Sequence, residues 1–102
     1  MSDLTVKCPI CGCDYTHPIG VLTFPIGKAK TAVVVTDQGV KYWNNAEPLG
    51  RGVTIEVLFR CENLHIFTWR LNFCKGNTSF DIIPGSDKIA KGLEQYDTIW
   101  RD

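Results

Sequence analysis

The sequence predicts a mainly β fold built on an antiparallel sheet. Runs of β-branched and aromatic residues alternate with polar residues, and Gly, Pro and Asn interrupt them at short intervals. Two short motifs, Cys-Pro-Ile-Cys-Gly at 8–12 and Cys-Glu-Asn-Leu-His at 61–65, have the spacing of metal-binding turns. At 102 residues we expect one domain, small enough to gain stability from a metal that joins these turns.

Charge and composition restrict the classes of partner. Eleven Lys and Arg residues balance eleven Asp and Glu residues, which argues against a dedicated double-helix binder. The polar start at 2–7 predicts no secretion signal, and no apolar run has the length of a membrane span. We therefore expect a cytoplasmic, reducing environment, in which the five cysteines favour metal binding over disulfides.

Short strands are predicted in the first half of the chain. Residues 20–26 are apolar, and Pro25 places this strand at a sheet edge or puts the proline at a strand end. Thr31–Thr36 is rich in β-branched residues and predicts a buried strand. A tight turn leads into a further strand at 40–43, and the Asn, Pro and Gly residues of 44–52 predict a loop.

Two longer strands are predicted on either side of the second Cys/His motif. Apolar and polar residues alternate over 53–61 and again over 67–73. We expect these segments to form a long antiparallel hairpin with the motif at its tip. A turn then leads to another strand at 79–83.

The last part of the chain is predicted as a short helix or an irregular tail. Ser86 is a candidate cap for a helix that runs through Tyr96. The predicted architecture is one zinc-ribbon-like domain at 1–102 with two knuckles, an inserted hairpin at about 20–52 and a C-terminal tail at about 84–102.

Four residues are the predicted metal ligands. They are Cys8, Cys11, Cys61 and His65. Three thiolates and an imidazole are the donors that Zn²⁺ takes in tetrahedral structural sites. A closed shell of this kind leaves no position for water, so one structural zinc without a catalytic role is predicted. Such a metal contributes folding free energy, on the order of 10 kcal/mol in small zinc modules.

Neighbouring residues offer alternatives to this assignment. Cys13 is a second candidate for the fourth ligand in place of His65, and Cys13 with His17 can form a weaker metal site or a nucleophile. The simpler interpretation makes Cys13 a bystander and His17 a polar loop residue. Cys74, at the end of a predicted strand, is expected to be a core or strand-end residue.

Aromatic residues close to Lys and Arg form the candidate contact surface. Its residues are Lys41, Tyr42, Trp43, Arg51, Tyr96 and Trp100. Exposed aromatic rings beside cations can stack on single-stranded nucleic-acid bases. Filling the core of a small β domain is the more common role for such rings, and the two aromatic residues near the C-terminus either pack on the sheet or contact a partner.

The motifs resemble those of small zinc-ribbon proteins of bacteria and their phages. The resemblance is carried by Cys-Pro-Ile-Cys-Gly at 8–12, Asp-Tyr-Thr-His at 14–17, Cys-Glu-Asn-Leu-His at 61–65 and Lys-Gly-Asn-Thr at 75–78. It covers the first twenty residues and roughly 51–83. The resemblance implies a Cys3His structural zinc and a β-rich ribbon fold, and it implies no activity, because adaptors, nucleic-acid readers and structural modules share this fold.

These features predict a non-enzymatic zinc-binding module that acts through protein–protein contact, as a monomer or homodimer. Its size and neutral charge fit a phage or mobile-element protein that blocks a host factor. A single-stranded nucleic-acid or transcription-accessory binder is the first alternative. A small zinc hydrolase or thiol-redox protein is the second.

Overall fold

Six antiparallel strands form one open sheet in the part of the chain that the structure describes. The structure is a computed structural model, and it describes residues 5–26, 31–44, 52–86 and 90–99. The strands are β1 Thr16–Ile26, β2 Thr31–Thr36, β3 Gly39–Trp43, β4 Thr54–Cys61, β5 Ile66–Cys74 and β6 Asn77–Pro84. Their order across the sheet is β3-β2-β1-β4-β5-β6. The predicted mainly β, antiparallel class is therefore confirmed.

β1 lies in the middle of this sheet. It pairs with β2 on one side and with β4 on the other. The pairing with β2 is irregular between Thr23 and Ile26, so Pro25 lies where the ladder is interrupted and its missing N–H is tolerated. The prediction of a proline near a strand end is therefore correct, and the alternative of an edge strand is wrong.

One face of the sheet, the covered face, is buried beneath the C-terminal residues. Its core cluster consists of Ile19, Leu22, Phe24, Ala32, Val34, Leu58 and Leu93. Leu93 ends a short 3-10 helix, Ala90–Leu93, that packs on β1. Gly20 makes room for it, since an added Cβ would lie 2.9 Å from the Leu93 Cδ1 atom. The position of the Leu93 side chain thus depends on Gly20 in β1.

Hydrogen bonds attach the residues after this helix to the sheet. The Ile99 amide donates to the Pro18 carbonyl over 2.8 Å, and the Arg60 guanidinium donates to the carbonyls of Glu94 and Tyr96. Of the predicted C-terminal helix, the described residues contain the 3-10 turn alone, and 87–89 lie outside them. The chain therefore covers the sheet with a mostly irregular segment.

Truncation of Leu93 is expected to loosen this cover. Leu93→Ala removes a side chain that is 2% exposed, so we expect a loss of about 2–4 kcal/mol in the free energy of unfolding. Urea denaturation followed by circular dichroism measures this loss. The exposed Tyr15→Ala variant is the control, with an expected change below about 0.5 kcal/mol. Equal effects for the two variants would contradict the packing of Leu93 in the core.

The other face, the open face, is defined by two rows of residues that run across all six strands. The first row is Val40, Val35, Val21, Val57, Trp69 and Ile82. The second row is Tyr42, Val33, Thr23, Ile55, Leu71 and Phe80. Directly paired residues of an antiparallel sheet point to the same side, so each row lies on one face. All of these side chains are partly or largely exposed.

The N-terminal segment covers one end of the open face. Cys8 packs with Phe59, Cys61 and Phe67 in a cluster separate from the core beneath the 3-10 helix. Phe59 and Phe67 pair across β4 and β5, and their rings stack with centroids 5.2 Å apart. The sheet therefore has two apolar clusters, one under each terminal segment.

Candidate metal centre

The first knuckle, residues 8–12, is a tight turn that places the Cys8 and Cys11 thiols on the same side. The Gly12 amide donates to the Cys8 carbonyl over 2.8 Å, and the Cys8 amide donates to the Cys13 carbonyl over 3.0 Å. Gly12 has a φ of 76°, a left-handed conformation that glycine adopts without a steric penalty. The Ile10 amide donates to the Cys8 Sγ over 3.4 Å, a further contact within the turn.

The second knuckle, residues 61–65, is the tip of the β4–β5 hairpin. The Leu64 amide donates to the Cys61 carbonyl over 2.9 Å, and the Cys61 amide donates to the His65 carbonyl over 3.0 Å. Leu64 takes the left-handed position in this turn, with a φ of 68°. The predicted hairpin with the Cys/His motif at its tip is therefore present.

The sheet brings the two knuckles together. Thr16, near the first knuckle, pairs with Cys61 in the register of β1 and β4. The Glu62 amide also donates to the Tyr15 carbonyl over 3.0 Å. Because these bonds join the segments on either side of the turns, the two motifs meet at one end of the sheet.

The four predicted ligands lie close enough to hold a metal ion. The donor atoms of Cys8, Cys11, Cys61 and His65 all lie within 4.8 Å of one another. A tetrahedral shell with Zn–S bonds of about 2.3 Å and Zn–N bonds of about 2.0 Å has edges of about 3.6–3.8 Å. The Cys11 and Cys61 Sγ atoms are 3.8 Å apart, and the Cys61 Sγ and His65 Nδ1 atoms are 3.6 Å apart. The Cys8 Sγ lies 3.9 Å from the same Nδ1.

These separations fit a metal shell better than a disulfide. A disulfide needs an S–S distance of about 2.05 Å, far below the Cys11–Cys61 separation of 3.8 Å. All four cysteines whose side chains are described are free thiols. The arrangement therefore fits soft, tetrahedral coordination by three sulfurs and one nitrogen.

The thiols of the site differ in burial and in acidity. A hydrogen bond from the Asn63 side chain and one from the Cys13 backbone lower the pKa of the exposed Cys11 thiol to about 6. Burial raises the pKa of the Cys61 thiol, which the sheet and the first knuckle enclose. At neutral pH the metal-free site therefore favours the thiolate form at the exposed Cys11 over the buried Cys61.

The metal-free protein is expected to react with iodoacetamide first at Cys11. Cys11 is exposed and largely ionised at neutral pH, whereas Cys61 is buried and more basic. Its alkylation rate should fall as the pH is lowered through about 6, because the thiolate is then protonated. Peptide mass spectrometry over a time course measures the order. Faster labelling of Cys61 than of Cys11 would contradict this picture.

Cys13 and His17 each have another partner. The Cys13 Sγ contacts the Tyr15 carbonyl at 3.7 Å, and His17 Nε2 lies 2.7 Å from a Glu62 carboxylate oxygen on the surface. Neither belongs to the four-residue cluster of possible metal ligands. Cys74 ends β5 at the end of the β4–β5 hairpin remote from the turn, opposite Asn77.

Of the predicted contact residues that the structure describes, Tyr42 lies on the open face, whereas Lys41, Trp43 and Tyr96 lie on the covered face. Tyr42 is 67% exposed, whereas Trp43 packs partly against the core. Lys41 Nζ lies 5.7 Å from the centre of the Tyr96 ring and donates to its hydroxyl over 3.4 Å. Arg51 and Trp100 lie outside the described residues.

Sequence reasoning missed one residue of the site, Asn63. Its side chain donates to the Cys11 Sγ over 3.3 Å, and this bond supports the thiolate from outside the ligand shell. The available signal was an amide side chain inside the Cys61–His65 turn. That signal does not show which sulfur the amide contacts, because the partner belongs to the other knuckle.

Comparisons with known protein families, with curated proteins and with solved structures find no match to this chain. Within the described residues, no helix has the length and apolar character needed to cross a membrane. The metal-ligand geometry is therefore the observation on which a functional proposal rests.

Proposed function

We propose that this protein is a non-enzymatic module in which Cys8, Cys11, Cys61 and His65 bind one structural zinc ion, and that it acts through contact with protein. The convergence of four donor atoms within 4.8 Å supports the metal site. Three thiols and one imidazole select zinc over hard cations such as Mg²⁺ and Ca²⁺. The resemblance to small zinc-ribbon proteins points to the same ligand set.

A structural role follows from the closed shell. Four protein ligands complete a tetrahedron, so no position remains for a water molecule that the metal would activate. The metal would join the first knuckle to the tip of the β4–β5 hairpin, segments that are separated by about fifty residues in sequence. Such a link stabilises the end of the sheet and leaves the surface for recognition.

The two alternative functions receive less support from the same contacts. Lys41 contacts Tyr96, and Trp43 packs partly against the core, so of the residues at 41–43 it is Tyr42 that offers an exposed ring to nucleic-acid bases. Cys13 and His17 contact other groups, Tyr15 and Glu62. A nucleophile and its base are expected to lie within hydrogen-bond reach of each other.

Elemental analysis of the purified protein tests the proposal. We expect one zinc per chain, reduced in His65→Ala and retained in Cys13→Ala. Cys13 is the matched control, because it is a cysteine beside the first knuckle that lies outside the cluster. A parent protein without zinc, or loss of zinc with Cys13→Ala alone, would overturn the ligand set.

A further inference from the structure

We propose that the open face binds the open face of a second copy of this chain, so that two sheets pack face to face. This inference goes beyond the metal site and does not depend on it. It starts from the two rows that cross the sheet from β3 to β6. The row residues contain no Lys, Arg, Asp or Glu, and Thr23 and Tyr42 are the members with hydroxyl groups.

The exposure of these rows is unusual for a small protein. Val40 and Tyr42 on β3 are 55% and 67% exposed, and Phe80 and Ile82 on β6 are 49% and 46% exposed. Between them lie six partly exposed apolar side chains of β2, β4 and β5, together with Val21 and Thr23 on β1. Large contiguous apolar patches on a soluble protein mark surfaces that bind something.

The covered face makes the contrast clear. There the sheet places Glu56, which is fully buried, with Arg70 beside it, and Lys41 and Asp81 at the outer strands of the same row. Charged residues therefore occupy the face that the chain's own C-terminal segment covers. The face without charges is the one with the greater exposure, which is the arrangement expected for an interface between subunits.

Aromatic contacts join this patch to the knuckle end of the sheet. The Trp69 ring lies 5.2 Å from Phe59 and 5.4 Å from Phe80, measured between ring centres. Phe59 is buried beneath the first knuckle. The interface is thus preorganised by packing, so association would require little ordering of side chains.

The size of the patch matches the needs of a dimer. Six strands at about 4.8 Å spacing are roughly 29 Å wide, and two rows with their flanking residues are roughly 20 Å long. Two copies would bury on the order of 1,200 Å² in total, the lower end of the range for specific interfaces.

A second copy is the occupant that this surface fits best. A sheet face without charges offers no charge pattern to select an unlike partner, whereas a second copy brings apolar rows against apolar rows. Two such faces related by a two-fold axis pack about 10 Å apart as in a β-sandwich. The neutral net charge of the chain means that two copies do not repel each other at long range.

Sedimentation velocity over a wide concentration range tests this inference. We expect the zinc-loaded protein to form a species of twice the 11.5 kDa chain mass. Val40→Lys and Ile82→Lys place a charge at opposite edges of the first row, and each should weaken the dimer about tenfold or more. Tyr15→Lys is the matched control, because Tyr15 is 72% exposed and lies before β1, outside the two rows.

Several results would overturn the inference. The first is a protein that stays monomeric at every concentration. The second is a dimer weakened by Ile82→Lys and not by Val40→Lys, which would indicate strand pairing at the β6 edge. The third is a dimer weakened equally by the control Tyr15→Lys. Binding of a monomer to uncharged lipid vesicles, blocked by the same variants, would assign the face to a different occupant. Zinc content and circular dichroism of each sample separate a lost interface from a lost fold or metal. Val40→Thr and Ile82→Thr, which retain strand propensity, replace any Lys variant that fails this check.

Discussion

Removal of zinc is expected to make transient local opening of the knuckle end of the sheet more frequent, and to lower the stability of the protein strongly. A metal that binds the folded chain and is present at about 1,000 times its dissociation constant adds about 4 kcal/mol to the free energy of unfolding. Chelation, or the Cys61→Ser substitution, should therefore lower Tm by about 15 °C or more for a chain of this size. Thermal unfolding followed by circular dichroism measures the shift.

The loss of structure should begin at the knuckle end of the sheet, because the sheet has two separate apolar clusters and two of the metal ligands belong to one of them. Cys8 and Cys61 belong to the cluster with Phe59 and Phe67, and the core beneath the 3-10 helix contains no ligand. After chelation we expect rapid hydrogen exchange at the Gly12 and Cys61 amides, whose bonds close the two turns. Amides of the β1–β2 ladder should stay protected.

The Cys13→Ser variant is the control for this experiment. It removes a thiol beside the first knuckle that lies outside the four-residue cluster. We expect Tm within a few degrees of the parent, and the parent should recover its Tm when zinc is added back after chelation. Uniform loss of protection across the sheet, or an equal effect of Cys13→Ser, would contradict a local structural role for the metal.

The strands were largely predictable, because β-branched residues and alternation report on them directly. Thr31–Thr36 is predicted with the observed bounds. The strand predicted at 53–61 begins one residue before β4, and the strand predicted at 67–73 is one residue shorter than β5 at each end. β1 starts at Thr16, four residues before the predicted strand at 20–26. The error arises at Pro18, which suggests a break, whereas an irregularity between Pro18 and Gly20 keeps the strand paired with β4.

The covered side of the sheet was not predictable from alternation. In β4, alternation separates Thr54 and Glu56 from Ile55 and Val57, and the usual expectation buries the apolar set. The structure buries the polar set completely and leaves Ile55 and Val57 partly exposed. A period of two shows that the two sets lie on different faces, but it does not show which face later residues will cover. Leu93 and Tyr96, which pack on this core, are distant in sequence.

For the metal site too, some features could be predicted from local sequence and others depend on residues that are distant in the chain. The ligand types and the two turns follow from the local motifs, because zinc coordination requires soft donors at short spacing. Their meeting depends on the β1–β4 register, which pairs Thr16 with Cys61. Asn63, which bonds to the Cys11 sulfur of the other knuckle, becomes visible only once the chain is folded.

Loss of the Arg70 side chain is expected to destabilise the protein by about 3–5 kcal/mol, because it leaves a buried carboxylate without its guanidinium. Arg70 Nε donates to Glu56 Oε2 over 2.7 Å, and the Glu56 side chain is fully buried while that of Arg70 is 26% exposed. Urea denaturation of Arg70→Met measures the loss. The methionine keeps most of the apolar stem of the side chain, so the change mainly tests the ion pair.

The double variant Glu56→Met/Arg70→Met distinguishes the net contribution of the ion pair to stability from the effect of removing one partner alone. Replacing both partners removes the buried charge together with its partner, so we expect much of the lost stability to return. Asp81→Asn is the control, since Asp81 pairs with Arg70 across β5 and β6 on the exposed edge strand and its charge should matter by less than about 1 kcal/mol. A double variant as unstable as Arg70→Met would mean that the site depends on the shape of these side chains. Recovery would instead show that the covered face tolerates Glu56 because Arg70 neutralises it.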